Sequence, residues 1–168
     1  MKTFIMLDMP DDIKDYLVNL QSCLDIDNVS RDKLHLTMRF VGEITHDQDK
    51  KIQEEFSKLI LPQMIFSIDH LGIFYNQTTV VWTGLSGDLN SLFSLNRTIE
   101  NLVNNIVGSA ELPFKPHITL GRTVNYIDLS MVQIPPISFS PVAMAYVHSE
   151  KVNGETVYQI IKKVVCGG

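Results

Sequence analysis

One short pattern, histidine, apolar residue, threonine, apolar residue, is written twice in this chain: His35-Leu36-Thr37-Met38 and His117-Ile118-Thr119-Leu120. The two copies stand 82 residues apart in a length of 168, close to half of it. Each copy closes a run that reads strand, helix, strand, so the chain is built as an internal duplication.

In the first run, Thr3 to Met9 is an apolar stretch of strand length. Pro10-Asp11-Asp12 then opens a segment with apolar residues at Ile13, Tyr16, Leu17, Leu20 and Leu24, which is helical spacing, and Leu34 to Val41 is again strand-like. In the second run, the β-branched stretch Thr78–Leu85 precedes Leu89, Leu92, Leu95, Ile99, Leu102, Val103 and Ile106, a helix stopped by Gly108. The strand His117–Gly121 follows the bracket Pro113-Phe114-Lys115-Pro116. Between the runs, Thr45 and Gln48 form a capping box for a helix through Ile52, Phe56, Leu59 and Ile60, ended by Pro62, with Met64–Phe74 extended after it. The remainder predicts a hairpin turning at Asn153-Gly154 between Pro141–Lys151 and Glu155–Val165. No low-complexity linker separates the halves. The expectation is an α+β architecture of two similar lobes facing each other.

Side chains alternate along a strand, so each His shares a face with its Thr while the intervening apolar residues enter a core. Each lobe then offers an imidazole and a hydroxyl to one surface. The charge around them is unlike the rest of the chain. Net charge is −5 overall, yet residues 30–40 and 112–122, with Arg31, Lys33, Arg39, Lys115 and Arg122 against Asp32, together carry +4 and leave −9 elsewhere. Such focusing attracts an anion to one cleft, whereas the overall acidity argues against a protein that coats long duplexes. By alternation Arg39, two residues beyond Thr37, is expected on the His/Thr face as a substrate contact. Gly121 leaves room at the equivalent place, and Arg122 at the strand end can swing inward.

Two imidazoles, two hydroxyls and flanking cations suit phosphodiester cleavage near neutral pH. One imidazole removes a proton from water, the other delivers one to the departing ribose oxygen, and Thr and Arg hold the nonbridging oxygens. No cofactor or metal is implied, since HxT supplies one imidazole per strand with no HxH, HExxH or carboxylate-rich spacing beside it. Cys23 and Cys166, far apart and outside any CxxC, fit a reduced, cytoplasmic protein, one as a half-buried residue and the other as a tail residue. The first residues lack a long apolar stretch and no segment approaches a membrane span, so a soluble, unprocessed chain is expected.

The segments His35-Leu36-Thr37-Met38-Arg39-Phe40-Val41-Gly42-Glu43 and Pro113-Phe114-Lys115-Pro116-His117-Ile118-Thr119-Leu120-Gly121-Arg122 resemble the two motifs of the 2H phosphoesterases. Within that superfamily the likeness is to the RNA 2′,3′-cyclic phosphodiesterases, historically called 2′-5′ RNA ligases. It extends to Phe4–Pro10, Val80-Val81-Trp82 and Ser149–Tyr158, with Val41 standing where relatives usually carry Leu. The resemblance implies a 2H phosphoesterase fold over residues 1–168 as a single bilobal domain, two antiparallel-sheet lobes with outer helices around a central, pseudo-twofold cleft. It also implies hydrolysis of RNA ends or nucleotides bearing 2′,3′-cyclic phosphate to 2′-phosphates, with His117 as base, His35 as acid, and Thr37, Thr119 and Arg122 on the phosphate. Reversible 2′-5′ joining would exchange the two histidine roles. A monomer with no membrane partner is expected. Two alternatives stay open: a phosphodiesterase of cyclic oligonucleotide signals, and a nucleotide-binding module without catalysis. His46, His70 and His148 read as solvated or packing histidines, His148 being of interest beside Ser149. Phe40, Phe114 and Trp82 read as core residues in preference to base-stacking ones.

Overall fold

A computed structural model describes residues 2–109 and 113–166. All its named strands belong to one curled, antiparallel, nine-stranded sheet, in the order β7-β4-β5-β6-β3-β1-β8-β9 with β2 beside β6. These are β1 (Lys2–Asp8), β2 (Asp27–Asn28), β3 (Leu36–Glu43), β4 (Phe66–Asn76), β5 (Thr78–Gly87), β6 (Ile118–Thr123), β7 (Ile137–Phe139), β8 (Ala143–Val152) and β9 (Glu155–Val165). The helices are α1 (Asp11–Ser22), α2 (His46–Phe56) and α3 (Leu89–Val107). The alternation of strands and helices read from the sequence is present, and the Asn153-Gly154 turn has both residues at positive φ, 53° and 81°, as a two-residue hairpin of this hand requires. Two features were not legible: the short strands β2 and β7, and the tight β4–β5 hairpin through Gln77 at φ 59°. Helix α2 stops at Phe56, short of Leu59 and Ile60, and Ile60 is left exposed.

The two motif strands meet at the centre of the sheet through one registered pair, Leu36 with Ile118. Each is the residue after its histidine, so the antiparallel register sets His35 and His117 diagonally across the pair, each near the other's threonine. The two halves of one sheet are therefore joined through this single registered pair of β3 and β6.

Both motif strands carry a bulge at the same place. In β3, Ile5 faces Arg39 and Met6 faces Thr37, leaving Met38 as the extra residue. In β6, Val81 faces Gly121 and Trp82 faces Thr119, leaving Leu120 as the extra residue. A bulged residue loses its regular ladder partner, and the helices supply a replacement, joined at Leu120 by the Val29 N–H, which donates to the same carbonyl at 2.9 Å. The Gln21 side chain of α1 donates to the Leu120 carbonyl at 2.8 Å, and the Asn96 side chain of α3 donates to the Met38 carbonyl at 3.0 Å. Each helix thus serves the motif strand of the opposite half. The remaining buried residues of these helices, Ile13, Leu17 and Leu20 in α1 and Leu92, Leu95, Ile99 and Val103 in α3, join a core with Ile5, Leu7, Leu36, Met38, Ile118 and Leu120. The other face of the sheet is the cleft.

Candidate active site

The bulges decide which side chains reach the cleft. Up to the bulge the alternation puts His35 and Thr37, and His117 and Thr119, on the cleft face. The extra residue then shifts the phase by one. Met38 and Arg39 are consecutive buried residues, as are Leu120 and Gly121, and Phe40 and Arg122 are exposed. Arg39 therefore does not share the His/Thr face. Its Nε lies 2.9 Å from a Glu100 carboxylate oxygen, and its terminal nitrogens donate to Asn104 Oδ1, the Gly108 carbonyl and the Phe40 carbonyl. This placement corrects the expectation of a substrate contact: Arg39 ties β3 to the C-terminal end of α3. Gly121 is small for a specific reason, since a Cβ there would come within 2.4 Å of the Asp27 carbonyl in β2.

The imidazoles are oriented alike. His35 Nδ1 lies 2.6 Å from the Lys33 carbonyl, and His117 Nδ1 lies 2.6 Å from the Lys115 carbonyl. A carbonyl accepts only, so each Nδ1 carries the proton and each Nε2 is left to face the cleft. The signal for this was present in the sequence: the repeat is Lys-x-His-x-Thr, and the lysines contribute a backbone oxygen as well as charge.

Beyond that likeness the halves differ. His35 is half-buried, stacked on Phe4 at 5.2 Å between ring centres and edge-on to Tyr158 at 5.8 Å, with Nε2 2.9 Å from Thr37 Oγ1. Burial pushes its pKa below the usual histidine value, and the charge of His117 acts in the same direction, while the Lys33 carbonyl and Asp8 oppose the shift. His117 stands edge-on to Phe74 at 5.0 Å and near Trp82 at 6.0 Å, and its Nε2 has no partner among the described residues. The Thr119 hydroxyl is likewise free.

Of the five cations around the motifs, Arg31 is held by Asp11 and Asp15 and Arg39 by Glu100. Lys33 sits 5.9 Å from the centre of the Tyr158 ring. Arg122 and Lys115 are exposed and without an ionic partner among the described residues, and Arg122 is the cation that the bulge turns to the cleft face. At the matching place in the other half stands Phe40, which is 69% exposed; it is a surface ring and not the core residue its apolar context implied. With Phe4, Tyr158, Ser149, Thr3, Lys2, Gly42 and Glu43 it lines a pocket of about 180 Å³ beside His35. Phe114 does pack inward, against Phe93 and the core.

His46 and His148 lie apart from this centre. His46 opens α2 after the Thr45–Gln48 capping box. His148 is buried on the helix face, where its Nε2 lies 2.8 Å from Asp49 Oδ1, which also accepts from the Tyr146 hydroxyl at 2.6 Å. No three His, Cys, Asp or Glu side chains converge among the described residues, and no described helix is long and apolar enough to cross a membrane.

Residues 7–82 match the family model of the LigT-like phosphoesterases. The chain is 28% identical over 154 residues to the RNA 2′,3′-cyclic phosphodiesterase of Thermotoga maritima, covering 86% of this chain and 82% of that protein. It is 27% identical over 133 residues to the protein of the same name from Methanocaldococcus jannaschii, covering 76% and 74% respectively. Among solved structures, Escherichia coli LigT complexed with 3′-AMP superposes with a TM-score of 0.82 at 23% identity, over 99% of this chain and 98% of that one. A crystal structure described as a phosphoesterase superposes with a TM-score of 0.84 over the same shares. At these identities the structural likeness speaks for the fold.

Proposed function

We propose that this chain is a LigT-like phosphoesterase of the 2H family and hydrolyses 2′,3′-cyclic phosphates on RNA ends or nucleotides to 2′-phosphates by metal-independent acid–base catalysis. The observation that carries the reading is the pair of imidazoles with Nδ1 pinned by a carbonyl and Nε2 turned to one cleft, beside the unpaired Arg122.

The differences between the halves favour one assignment of the roles. His117, whose Nε2 has no partner among the described residues, has room for a water molecule and is the base: its Nε2 takes a proton as the water oxygen attacks phosphorus. His35 lies against the aromatic pocket, which suits the nucleoside, and its protonated Nε2 delivers a proton to O3′ as the P–O3′ bond breaks. The product is the 2′-phosphate, and both imidazoles have exchanged charge state, to be reset by solvent. When His35 is protonated, its Nε2–H donates to Thr37 Oγ1 and the hydroxyl proton of Thr37 is directed elsewhere, to a nonbridging phosphate oxygen. Thr119 and Arg122 complete the contacts from the other half, where preorganised donors are worth most as negative charge grows in the transition state. With a 5′-hydroxyl in place of water, the same groups in the same roles join a 2′,3′-cyclic end in a 2′-5′ linkage, so it is the reverse cleavage of that linkage, and not the joining, that exchanges the two histidine roles. The reading also places the protein in the cytoplasm as a monomer that needs no cofactor.

The test is hydrolysis of 2′,3′-cyclic mononucleotides and of an RNA ending in 2′,3′-cyclic phosphate, in excess chelator, with the product identified. A 2′-phosphate product supports the reading. Binding without turnover would replace it with that of a non-catalytic nucleotide-binding module.

A further inference from the structure

A second aromatic and polar surface lies on the cleft face of the half that carries His117, and the mechanism does not use it. In β4 and β5, Trp82 pairs with Gly72, and a Cβ on Gly72 would come within 2.1 Å of the indole. One residue pair further along, β4 bulges at Asp69-His70, between Ile68 and Leu71. The His70 ring lies across Gly84 so closely that a Cβ there would come within 1.9 Å of its Nε2. Both rings thus lie flat over glycines of the neighbouring strand. His70 is edge-on to Trp82 at 6.2 Å and Trp82 is edge-on to His117 at 6.0 Å, with Phe74 against Trp82 at 4.9 Å. A continuous row therefore runs from the catalytic imidazole to His70.

His70 is fixed more firmly than an exposed side chain needs to be. Its side chain is 54% exposed. Yet Nδ1 lies 2.6 Å from Asp69 Oδ1, and Asp69 Oδ2 accepts from the Ser86 hydroxyl at 2.9 Å. Covering the two glycines explains flat aromatic rings, but it does not explain a three-residue polar chain that sets the direction of a solvent-facing imidazole. A preset ring beside an aromatic face is the arrangement that stacks a base and hydrogen-bonds its edge.

We propose that His70, oriented by Asp69 and Ser86, and Trp82 form a subsite for a second nucleotide of a single-stranded RNA whose cyclic-phosphate end lies between His35 and His117. The first nucleoside occupies the pocket of Phe4, Phe40 and Tyr158. The chain is then tuned to an RNA end over a mononucleotide. This inference rests on the proposed cyclic phosphodiesterase activity.

The experiment compares kcat/KM for a 2′,3′-cyclic mononucleotide with that for a tetranucleotide ending in 2′,3′-cyclic phosphate, in the wild type and in His70→Ala, Asp69→Asn and Gly84→Ala. The wild type is expected to prefer the tetranucleotide. His70→Ala and Gly84→Ala, whose added methyl displaces the imidazole, are each expected to lower the tetranucleotide value about tenfold through KM, the loss of one stacked base. Asp69→Asn frees the ring's orientation and is expected to give a smaller loss of the same kind. The mononucleotide value stays within twofold throughout. A uniform loss on both substrates, or equal values in the wild type and His70→Ala on both, would overturn the subsite while leaving the cyclic phosphodiesterase activity standing. Absence of turnover on both substrates by the wild type would instead remove the activity on which the inference rests.

Discussion

Replacing Arg39 with Met separates a structural arginine from a catalytic one. The guanidinium side chain is 9% exposed and its Glu100 partner 22%, and it also bonds Asn104 and the Gly108 carbonyl at the end of α3. Removing one member of a buried ion pair costs about 3–5 kcal/mol, because the other charge is left uncompensated. Glu100 keeps some access to water, which places the loss near the lower end, at about 3 kcal/mol. For a chain of this length that corresponds to a fall in Tm of roughly 6–12 °C. Adding Glu100→Gln removes the stranded charge and should restore about 1 kcal/mol or more. The assay is urea unfolding of the wild type and both variants, with the midpoint moving and the slope unchanged. It is paired with kcat/KM for a 2′,3′-cyclic mononucleotide at a temperature where all are folded, expected within threefold of wild type. A tenfold or greater loss of kcat/KM at undiminished stability would refute the reasoning and return Arg39 to the substrate.

Arg122→Ala, by contrast, should lower kcat/KM about 100-fold, the scale of losing one preorganised donor to a developing oxyanion, with no change in the unfolding midpoint. Phe4→Ala exposes His35 and so raises its pKa towards the usual histidine value. If His35 is the acid, the descending limb of the kcat/KM pH profile moves to higher pH; movement of the ascending limb would assign His35 as the base. Burial tends to raise the Asp49 carboxyl, but hydrogen bonds from Tyr146 and His148 outweigh it and hold the pKa below the ordinary value. Its contribution to stability is therefore present above the unfolded carboxylate range and is lost as pH falls through the folded value. Asp49→Asn should cost about 2–3 kcal/mol at pH 7 and flatten that acid loss in denaturation midpoints measured from pH 7 to pH 3.

The duplicated tetrad made the two histidines, their threonines and the strand–helix–strand order legible, because a period of two and a period near 3.6 are local properties. What was lost was also local in origin but invisible to the pattern. A bulge inserts one residue without leaving a mark in an apolar run, so Arg39 and Phe40 exchanged faces relative to strict alternation. Gln21 and Asn96 were the available clue: each is a polar residue on an otherwise apolar helical stripe, and each caps the carbonyl that a bulge sets free. The charge around the motifs was correct as a sum and misleading in part. Arg31 and Arg39 are spent on carboxylates distant in sequence, which spacing cannot reveal. The pocket of Phe4, Phe40 and Tyr158 assembles from β1, β3 and β9 and depends on strand order, as does the meeting of His70 with Gly84.

The central claim is that two imidazoles share the proton transfers, and the most direct test is product formation from a 2′,3′-cyclic mononucleotide by the wild type, His35→Ala, His117→Ala and the double variant in excess chelator. Each single variant should lose at least about 100-fold in kcat with its fold intact, and the double variant should lose little more than the worse single one, because the two groups act as a unit. Undiminished turnover in either single variant, or wild-type turnover that stops in chelator and returns with a divalent metal, would contradict the account.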